Sequence, residues 1–263
     1  MKQKMLFFDI DGTLITEGSH ILPKSTMASI RQARANGHLA FINTGRTFFN
    51  VTDQIKEIGF DGYVCGCGTY IHYKGEEILW NQLTKKRCRE IVELIRSCNL
   101  DALLEGKEGV YFDYTRPSNP TIAKLQTRFG AEQFSERYSW DSENLQFDKF
   151  VIWQTPNSDF STFFNNISKD FDYIDRENGF GEIVPKGYSK ASGIEFLEKY
   201  LNIPHENCFA FGDSTNDLSM LEYVPNSIAM GNSSKLILPK VSYITTDIED
   251  NGIENALKNF NII

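Results

Sequence analysis

The stretch MLFFDIDGT, residues 5–13, starts as an apolar run and ends in two closely spaced carboxylates. Four apolar residues lead into Asp9, Asp11 follows two positions later, and Gly12 and Thr13 break the pattern. Like charges this close repel each other, so the pair indicates either a chemical role for both carboxylates or a structural role in a turn. A lone DxDGT is also typical of a turn, where Asp and Gly suit the backbone geometry. The rest of the chain must therefore decide between these interpretations.

Strand and helix patterns alternate around this stretch. Residues 5–10, 38–43 and 62–68 read as strands, and residues 25–36 and 48–58 read as helices. This βαβαβ order predicts a parallel sheet with helices on both faces, so the fold class is α/β. The same texture returns near the C-terminus. There, helices are predicted at 189–200 and 250–260, and strands at 208–214, 227–231 and 243–247.

The middle of the chain has a different texture. Strand patterns at 101–106, 109–114, 148–155, 172–177 and 179–187 include hairpin-like pairs around glycines, and helical patterns at 85–98 and 159–171 separate them. We predict an inserted α+β domain over residues 82–186. The core domain then comprises residues 1–81 and 187–263.

Composition limits the classes of partner. The 263 residues carry a net charge of −8, which disfavours a nucleic-acid binder. No apolar run reaches the ~20 residues that span a bilayer, and the N-terminal run is too short for a signal peptide. The five cysteines are odd in number and irregularly spaced, which favours reduced thiols over disulfides or a zinc site. We expect a cytoplasmic protein without nucleic-acid or membrane partners.

Three predicted strands end in unusual polar residues: DIDGT (9–13), NTGR (43–46) and GDSTND (212–217). Ligands of parallel α/β sheets bind beyond the carboxyl ends of the strands. If these strands are neighbours, four carboxylates converge on one crevice beside Thr44; they are Asp9, Asp11, Asp213 and Asp217. A divalent cation would relieve their repulsion, and carboxylate oxygens favour Mg²⁺.

These motifs resemble those of a known family. DIDGTL, NTGR, Ser189-Lys190 and GDSTNDLSML resemble the four signature motifs of the haloacid-dehalogenase-like (HAD) superfamily, in the same order and over nearly the whole chain. The insertion between the second and third motifs resembles a C2 cap, and the last motif resembles the Cof-type branch. The resemblance implies a Rossmann-like, doubly wound parallel core. Family members often have Gly after the lysine, where this chain has Ala191.

The resemblance also implies the roles of the motif residues. Asp9 would be the nucleophile that forms an aspartyl-phosphate, and Asp11 would protonate the leaving oxygen and later deprotonate water. Thr44 and Lys190 complete the implied catalytic set, with Lys190 stabilising charge in the transition state. Arg46 is interpreted as a capping or salt-bridging residue outside this set.

Metal and phosphate contacts are implied in the same way. Asp9, the backbone carbonyl of Asp11, and Asp213 would hold Mg²⁺, while Asp217 would orient metal-bound waters and Lys190. The implied phosphate-binding residues are Ile10, Thr44, Gly45, Lys190 and Asn216.

The expected function is a Mg²⁺-dependent phosphatase for small phosphorylated metabolites. The resemblance implies sugar phosphates, with pyridoxal phosphate or flavin mononucleotide as alternatives. A sugar phosphomutase of the same core and cap type, or a non-catalytic regulator that binds a phosphometabolite, are the competing hypotheses. Lys107 and Arg116, near loops of the inserted domain, are candidate contacts to a polar substrate.

Overall fold

The chain forms two units in a computed structural model that describes residues 2–115, 119–129, 138–176 and 178–263. The first unit comprises the chain up to Arg46 together with Val51–Leu79 and Tyr188–Ile263. The second comprises Thr47–Asn50 and Trp80–Gly187, against predicted limits of 82 and 186. Arg116 lies outside the described residues.

The strands follow in chain order. They are β1 (Met5–Phe8), β2 (Leu39–Asn43), β3 (Gly62–Cys65), β4 (Tyr70–Tyr73), β5 (Glu76–Trp80), β6 (Asp101–Gly106), β7 (Gly109–Tyr111), β8 (Lys149–Trp153), β9 (Phe171–Asp175), β10 (Phe180–Pro185), β11 (Cys208–Gly212), β12 (Asn226–Ala229) and β13 (Tyr243–Ile244).

The α-helices are α1 (Lys24–Ala35), α2 (Asp53–Lys56), α3 (Lys85–Ser97), α4 (Pro120–Phe129), α5 (Phe160–Ile167), α6 (Lys190–Leu201), α7 (Leu218–Tyr223) and α8 (Gly252–Asn259). Within the described ranges, each helix is too short or too polar to traverse a lipid bilayer.

The sheet of the first unit has the strand order β13-β12-β11-β1-β2-β3-β4-β5. Strand β1 lies at its centre, parallel to both β11 and β2. All residues of these three strands are buried, because helices need an apolar sheet to pack on. Phe8 stacks on Phe211 at a centroid distance of 4.5 Å, which ties β1 to β11. This order confirms the predicted α/β fold and brings the carboxyl ends of β1, β2 and β11 side by side.

The helix predicted over 48–58 is wrong. The segment forms a 3₁₀ turn at Phe48–Asn50 and the short helix α2, with Thr52 extended between them (ψ 156°). The turn packs with the second unit, where the amide of Asn50 donates to Glu105 Oε1 at 3.4 Å. Because the two halves of the segment pack in different units, the apolar stripe cannot form one helix.

The pair β4–β5 was not predicted from the sequence. These strands flank a two-residue turn at Lys74 and Gly75, whose φ angles are +47° and +91°. Glycine favours such a left-handed turn, so Lys-Gly between alternating residues was the available signal.

The second unit is an α+β layer. Its sheet has the order β7-β6-β8-β10-β9, and the registered pairs around β6, β8 and β10 are antiparallel. Phe150 and Ile152 of β8 enter an apolar core with residues of α3 and α5. The helix predicted over 159–171 ends at Ile167, because Phe171 begins strand β9.

Candidate active site

The first carboxylate of the site follows the central strand β1. Asp9 is 4% exposed, and its backbone N–H donates to the Phe211 carbonyl at 3.0 Å, which extends the ladder to β11. Gly12 then turns the chain with φ +78°. A Cβ atom at Gly12 would lie 2.3 Å from Oδ2 of Asp213, so only glycine permits this approach.

Lys190 connects the carboxylates of the site. It is the first residue of α6, whose start is fixed by a capping box between Ser189 and Ser192. Its Nζ atom donates to Oδ1 of Asp9 at 2.7 Å and to Oδ1 of Asp217 at 2.5 Å. The lysine is 1% exposed, so water screens its charge little and the charge acts mainly on these two carboxylates.

The remaining two carboxylates follow β11. Asp217 accepts the backbone N–H groups of Asp213 and Ser214 through Oδ2, at 2.9 and 3.0 Å. Asp213 accepts the Thr13 hydroxyl at 3.1 Å. One carboxylate oxygen from each of Asp9, Asp213 and Asp217 lies within 4.8 Å of the other two. Residues from opposite ends of the chain therefore share one buried acidic cluster.

The charges of this cluster do not balance. When its three buried carboxylates are all ionised, they face the single ammonium of Lys190 with an excess of two negative charges. Burial raises the pKa of Asp9 to about 7, the Lys190 charge opposes this, and the charges of Asp217 and Asp11 add to it. Burial, with the charges of Asp217 and Asp9, raises the pKa of Asp213 to about 8. Burial alone would lower the pKa of Lys190, but the charges of Asp217 and Asp9 raise it above its ordinary range.

This donor set fits a divalent cation. Oxygen ligands from carboxylates suit Mg²⁺, and a charge of +2 would cancel the excess. Asp9 and Asp213 have more capacity for an ion than Asp217, because Asp217 already accepts three hydrogen bonds, from two backbone N–H groups and from Lys190. The division of roles between Asp217 and the metal ligands stays a prediction.

Asp11 stands apart from the buried cluster. Its side chain is 44% exposed and pairs with Arg46, whose Nε and Nη2 atoms lie 2.9 and 2.5 Å from the two carboxylate oxygens. Arg46 is therefore a salt-bridging residue, as interpreted, but its partner is the predicted acid–base group. No spacing rule pairs these residues, since they come from the ends of two different strands.

The other predicted residues lie on the loops at the same sheet edge. Thr44 is buried after β2, and its hydroxyl accepts the Arg46 N–H at 3.1 Å. Gly45 lies between Thr44 and Arg46 on this loop. Ile10 follows Asp9 and accepts the Leu14 and Ile15 N–H groups. Oδ1 of Asn216 accepts the Ser214 hydroxyl at 2.5 Å, which orients the amide.

Two contacts to the cluster were missed from the sequence. Thr13 binds Asp213, and Asn43 donates its side-chain amide to the backbone carbonyl of Lys190 at 2.9 Å. Both belong to the quoted motifs, but their partners lie over 140 residues away in the chain. Only the strand order reveals these contacts.

Comparisons with known proteins agree with this geometry. A family model described as haloacid dehalogenase-like hydrolase matches residues 6–257. The chain is 24% identical to 5-amino-6-(5-phospho-D-ribitylamino)uracil phosphatase YitU of Bacillus subtilis (strain 168), over 98% of each chain. It is 25% identical to phosphatase YwpJ of the same organism, over 97% of this chain and 99% of the relative.

A solved structure shows the same fold. The HAD subclass IIB sugar phosphatase BT4131 superposes with a TM-score of 0.81 at 24% sequence identity, covering 99% of this chain and 100% of that one. This likeness concerns the fold.

Proposed function

The chain belongs to the haloacid dehalogenase-like hydrolase family, and from this premise we propose that it is a Mg²⁺-dependent phosphatase of small phosphate monoesters. The observation that carries the proposal is the buried cluster in which Lys190 bridges Asp9 and Asp217 while the cluster keeps an excess of negative charge. A cation that fills this excess would also let an anionic nucleophile approach an anionic phosphate.

Asp9 is the proposed nucleophile. An oxygen of its carboxylate attacks phosphorus, the bond from phosphorus to the ester oxygen breaks, and an aspartyl-phosphate forms. Lys190 holds Oδ1 of Asp9 at 2.7 Å and fixes the rotation of the carboxylate for this attack. The buried position removes competing water from the nucleophile.

Asp11 is the proposed acid–base group. It gives a proton to the leaving ester oxygen, and then takes one from the water that attacks phosphorus and releases Asp9. The proton that Asp11 gives up in the first step is replaced by the one that it takes from water in the second, so the group ends the cycle in its starting form. Arg46 orients the carboxylate through the bidentate pair.

Phosphate contacts complete the proposed site. The loops after β1, β2 and β11 would supply the Ile10 and Gly45 N–H groups, the Thr44 hydroxyl and the Asn216 amide to phosphoryl oxygens. The ion would be held by Asp9, the Asp11 carbonyl and Asp213, where it would neutralise charge on the phosphate.

The second unit is proposed to be the C2-type cap that selects the substrate. Its insertion between the second and third motifs and its antiparallel α+β fold support this assignment. The named substrates of relatives are phosphorylated metabolites, so we infer a sugar phosphate or a similar monoester. All five cysteines are buried and none is in a disulfide, which supports a cytoplasmic location.

The test is hydrolysis of p-nitrophenyl phosphate with Mg²⁺ or with EDTA, followed by a panel of phosphorylated metabolites ranked by kcat/KM. Asp9→Asn should lower kcat by at least about 10³-fold while the circular dichroism spectrum stays unchanged. Wild-type turnover by Asp9→Asn would refute the proposed nucleophile. Isomerised product that needs a bisphosphorylated activator would indicate the phosphomutase instead, and tight binding without phosphate release the regulator.

A further inference from the structure

The β3 exit turn, residues Gly66–Gly68, lies between two parts of the site. On one side, the Gly66 N–H donates to the Arg46 carbonyl at 2.8 Å and the Cys67 N–H donates to the Thr44 carbonyl at 3.1 Å. On the other side, a Cβ atom at Gly68 would lie 2.4 Å from the Ser189 carbonyl oxygen. The turn therefore contacts both the loop that carries Thr44 and the residue before Lys190.

The conformation of this turn is costly. Gly66, Cys67 and Gly68 all have positive φ angles, of 60°, 56° and 91°. Glycine adopts this region freely, but a residue with a side chain such as Cys67 loses about 1–2 kcal/mol there. Strained backbone of this kind persists where the surrounding structure imposes it, and it concentrates at functional sites.

Asn43 holds the start of α6 from a second direction. This residue is fully buried and is the last of β2, directly before Thr44. Its amide donates to the Lys190 carbonyl, while its Oδ1 has no hydrogen-bond partner among the described residues. A buried acceptor left unpaired lowers the free energy of unfolding by about 1–3 kcal/mol, so stability alone does not account for an asparagine at this position.

Helix α6 also approaches β3 closely at a third point. A Cβ atom at Gly193 would lie 2.3 Å from Cγ1 of Val64, so glycine is needed there as well. Contacts at Gly68, Asn43 and Gly193 leave the first turn of α6 little freedom to move. The Nζ atom of Lys190 is thereby kept on Asp9 and Asp217.

We propose that Gly68 and Asn43 are positioning residues for Lys190, which they fix relative to the loop of Thr44. The inference rests on the proposed function, because Lys190 and Thr44 are assigned there to the transferring phosphoryl group. Displacements of about 1 Å at such groups cost up to about 100-fold in rate. The turn and the asparagine act through the backbone of α6 and contact no reacting atom.

The test compares Gly68→Ala with Gly75→Ala. Both glycines have φ +91°, but a Cβ at Gly75 meets nothing within 4 Å. Both variants therefore bear the strain of the left-handed backbone, and only Gly68→Ala displaces Ser189. We expect kcat/KM for p-nitrophenyl phosphate to fall about 10- to 100-fold in Gly68→Ala, mainly through kcat. Gly75→Ala should retain wild-type kcat/KM.

A double-mutant cycle separates positioning from general damage. In a Lys190→Met background, Gly68→Ala should cause no further loss, because its effect passes through the lysine. Equal fold losses in both backgrounds would overturn the proposal, as would a Gly68→Ala enzyme that matches Gly75→Ala.

A second variant covers the case in which Gly68→Ala does not fold. Asn43→Ala removes the donor to the Lys190 carbonyl and should show the same dependence on Lys190. Asn226→Ala is its control, because Asn226 also donates to backbone carbonyls, those of Glu206 and Cys208. If Asn43→Ala lowered kcat/KM by the same factor in the wild-type and Lys190→Met backgrounds, the proposal would be overturned.

A crystal structure of the variant that folds distinguishes failure of the positioning proposal from failure of the proposed phosphatase function. If the wild type hydrolyses no phosphate ester, the proposed function fails while the positioning claim is still decided by geometry. The distance between Lys190 Nζ and Asp217 Oδ1, 2.5 Å in the wild type, should then exceed hydrogen-bond range in the positioning variant and stay unchanged in its control.

Discussion

Each unit buries a cluster of charged side chains, and the two clusters differ in their charge balance. In the first unit, the acidic cluster consists of Asp9, Asp213, Asp217 and Lys190. In the second unit, the paired cluster consists of Glu105, Glu182, Lys149 and Arg176. The first has three carboxylates and one cation, whereas the second has two of each.

The charges of the paired cluster balance one another. The Nζ atom of Lys149 lies 3.1 Å from Oε2 of Glu105 and 2.9 Å from Oε2 of Glu182, and Arg176 lies 2.8 Å from the other oxygen of Glu182. Burial raises the pKa of Glu105, and the charge of Lys149 opposes that rise. Buried charge alone is therefore weak evidence for a binding site. The excess charge of the acidic cluster is what points to a bound cation.

The largest expected difference between the clusters is in activity. Asp213→Asn should lower kcat/KM at millimolar Mg²⁺ by about 10³-fold, because it removes a proposed ligand and half of the excess charge. Glu182→Gln makes the same chemical change in the paired cluster and should leave the Mg²⁺ concentration for half-maximal rate unchanged. Titrating Mg²⁺ in the p-nitrophenyl phosphate assay measures both. If both variants shifted the Mg²⁺ concentration for half-maximal rate equally, the two clusters would not differ in cation binding.

The two clusters should also differ in stability: a substitution in the paired cluster should destabilise the protein, and one in the acidic cluster should stabilise it in EDTA. Lys149→Met leaves two buried carboxylates with less compensation and should lower the free energy of unfolding by about 3–5 kcal/mol. In EDTA, Asp213→Asn should raise that free energy, because it relieves repulsion in the acidic cluster. Urea unfolding followed by circular dichroism provides both values. A destabilised Asp213→Asn protein in EDTA would show that the acidic cluster tolerates its excess charge without a cation.

The pH dependence of stability in EDTA sharpens the same contrast. The folded-state pKa values of Asp9 and Asp213 are raised to about 7 and 8, so the folded protein holds protons that the unfolded chain releases near pH 4. The contribution of these protons to stability should be complete below about pH 4 and should be lost as the pH rises to about 8. Added Mg²⁺ should remove most of the fall, since it replaces those protons. Melting temperatures from pH 5 to 8, with and without Mg²⁺, test this. A fall of the same size in both conditions would contradict it.

The smallest effect is expected at the pair of Asp11 and Arg46, which belongs to neither buried cluster. Asp11 is 44% exposed, so Arg46→Met should change the free energy of unfolding by less than about 1 kcal/mol. Its effect should appear in turnover, because the acid–base carboxylate loses its orientation. Urea unfolding and kcat of the same preparation report the two quantities. A stability loss comparable to that of Lys149→Met would place this pair among the structural ones.

The sequence predicted the α/β core because its strands are buried on both faces. Continuous apolar runs such as those of β1 and β11 contain the signal within a few residues. The helix predicted over 48–58 failed because its two halves pack in different units, which no local pattern records. The hairpin of β4 and β5 was predictable from the turn residues Lys74-Gly75 between them, but it was not predicted.

For the site, the motif residues were predictable but several of their partners were not. Asp9, Asp11, Asp213 and Asp217 were predicted to form one group, and the structure places the oxygens of Asp9, Asp213 and Asp217 together. Asp11 instead pairs with Arg46 outside this cluster. The contacts of Arg46 and Asn43 depend on which loops meet at the sheet edge, and this is set by strand order. Long-range contacts of that kind carry no spacing in the sequence.

Isothermal titration of the protein with Mg²⁺ at pH 7, in buffers of different ionisation enthalpy, tests the central claim most directly. The excess charge of the acidic cluster predicts one ion per chain and release of roughly one proton per ion, because Asp9 and Asp213 are partly protonated before binding. Asp213→Asn should abolish this binding, and Glu182→Gln should preserve it. Binding that releases no proton and survives Asp213→Asn would contradict the claim that this cluster holds the cation.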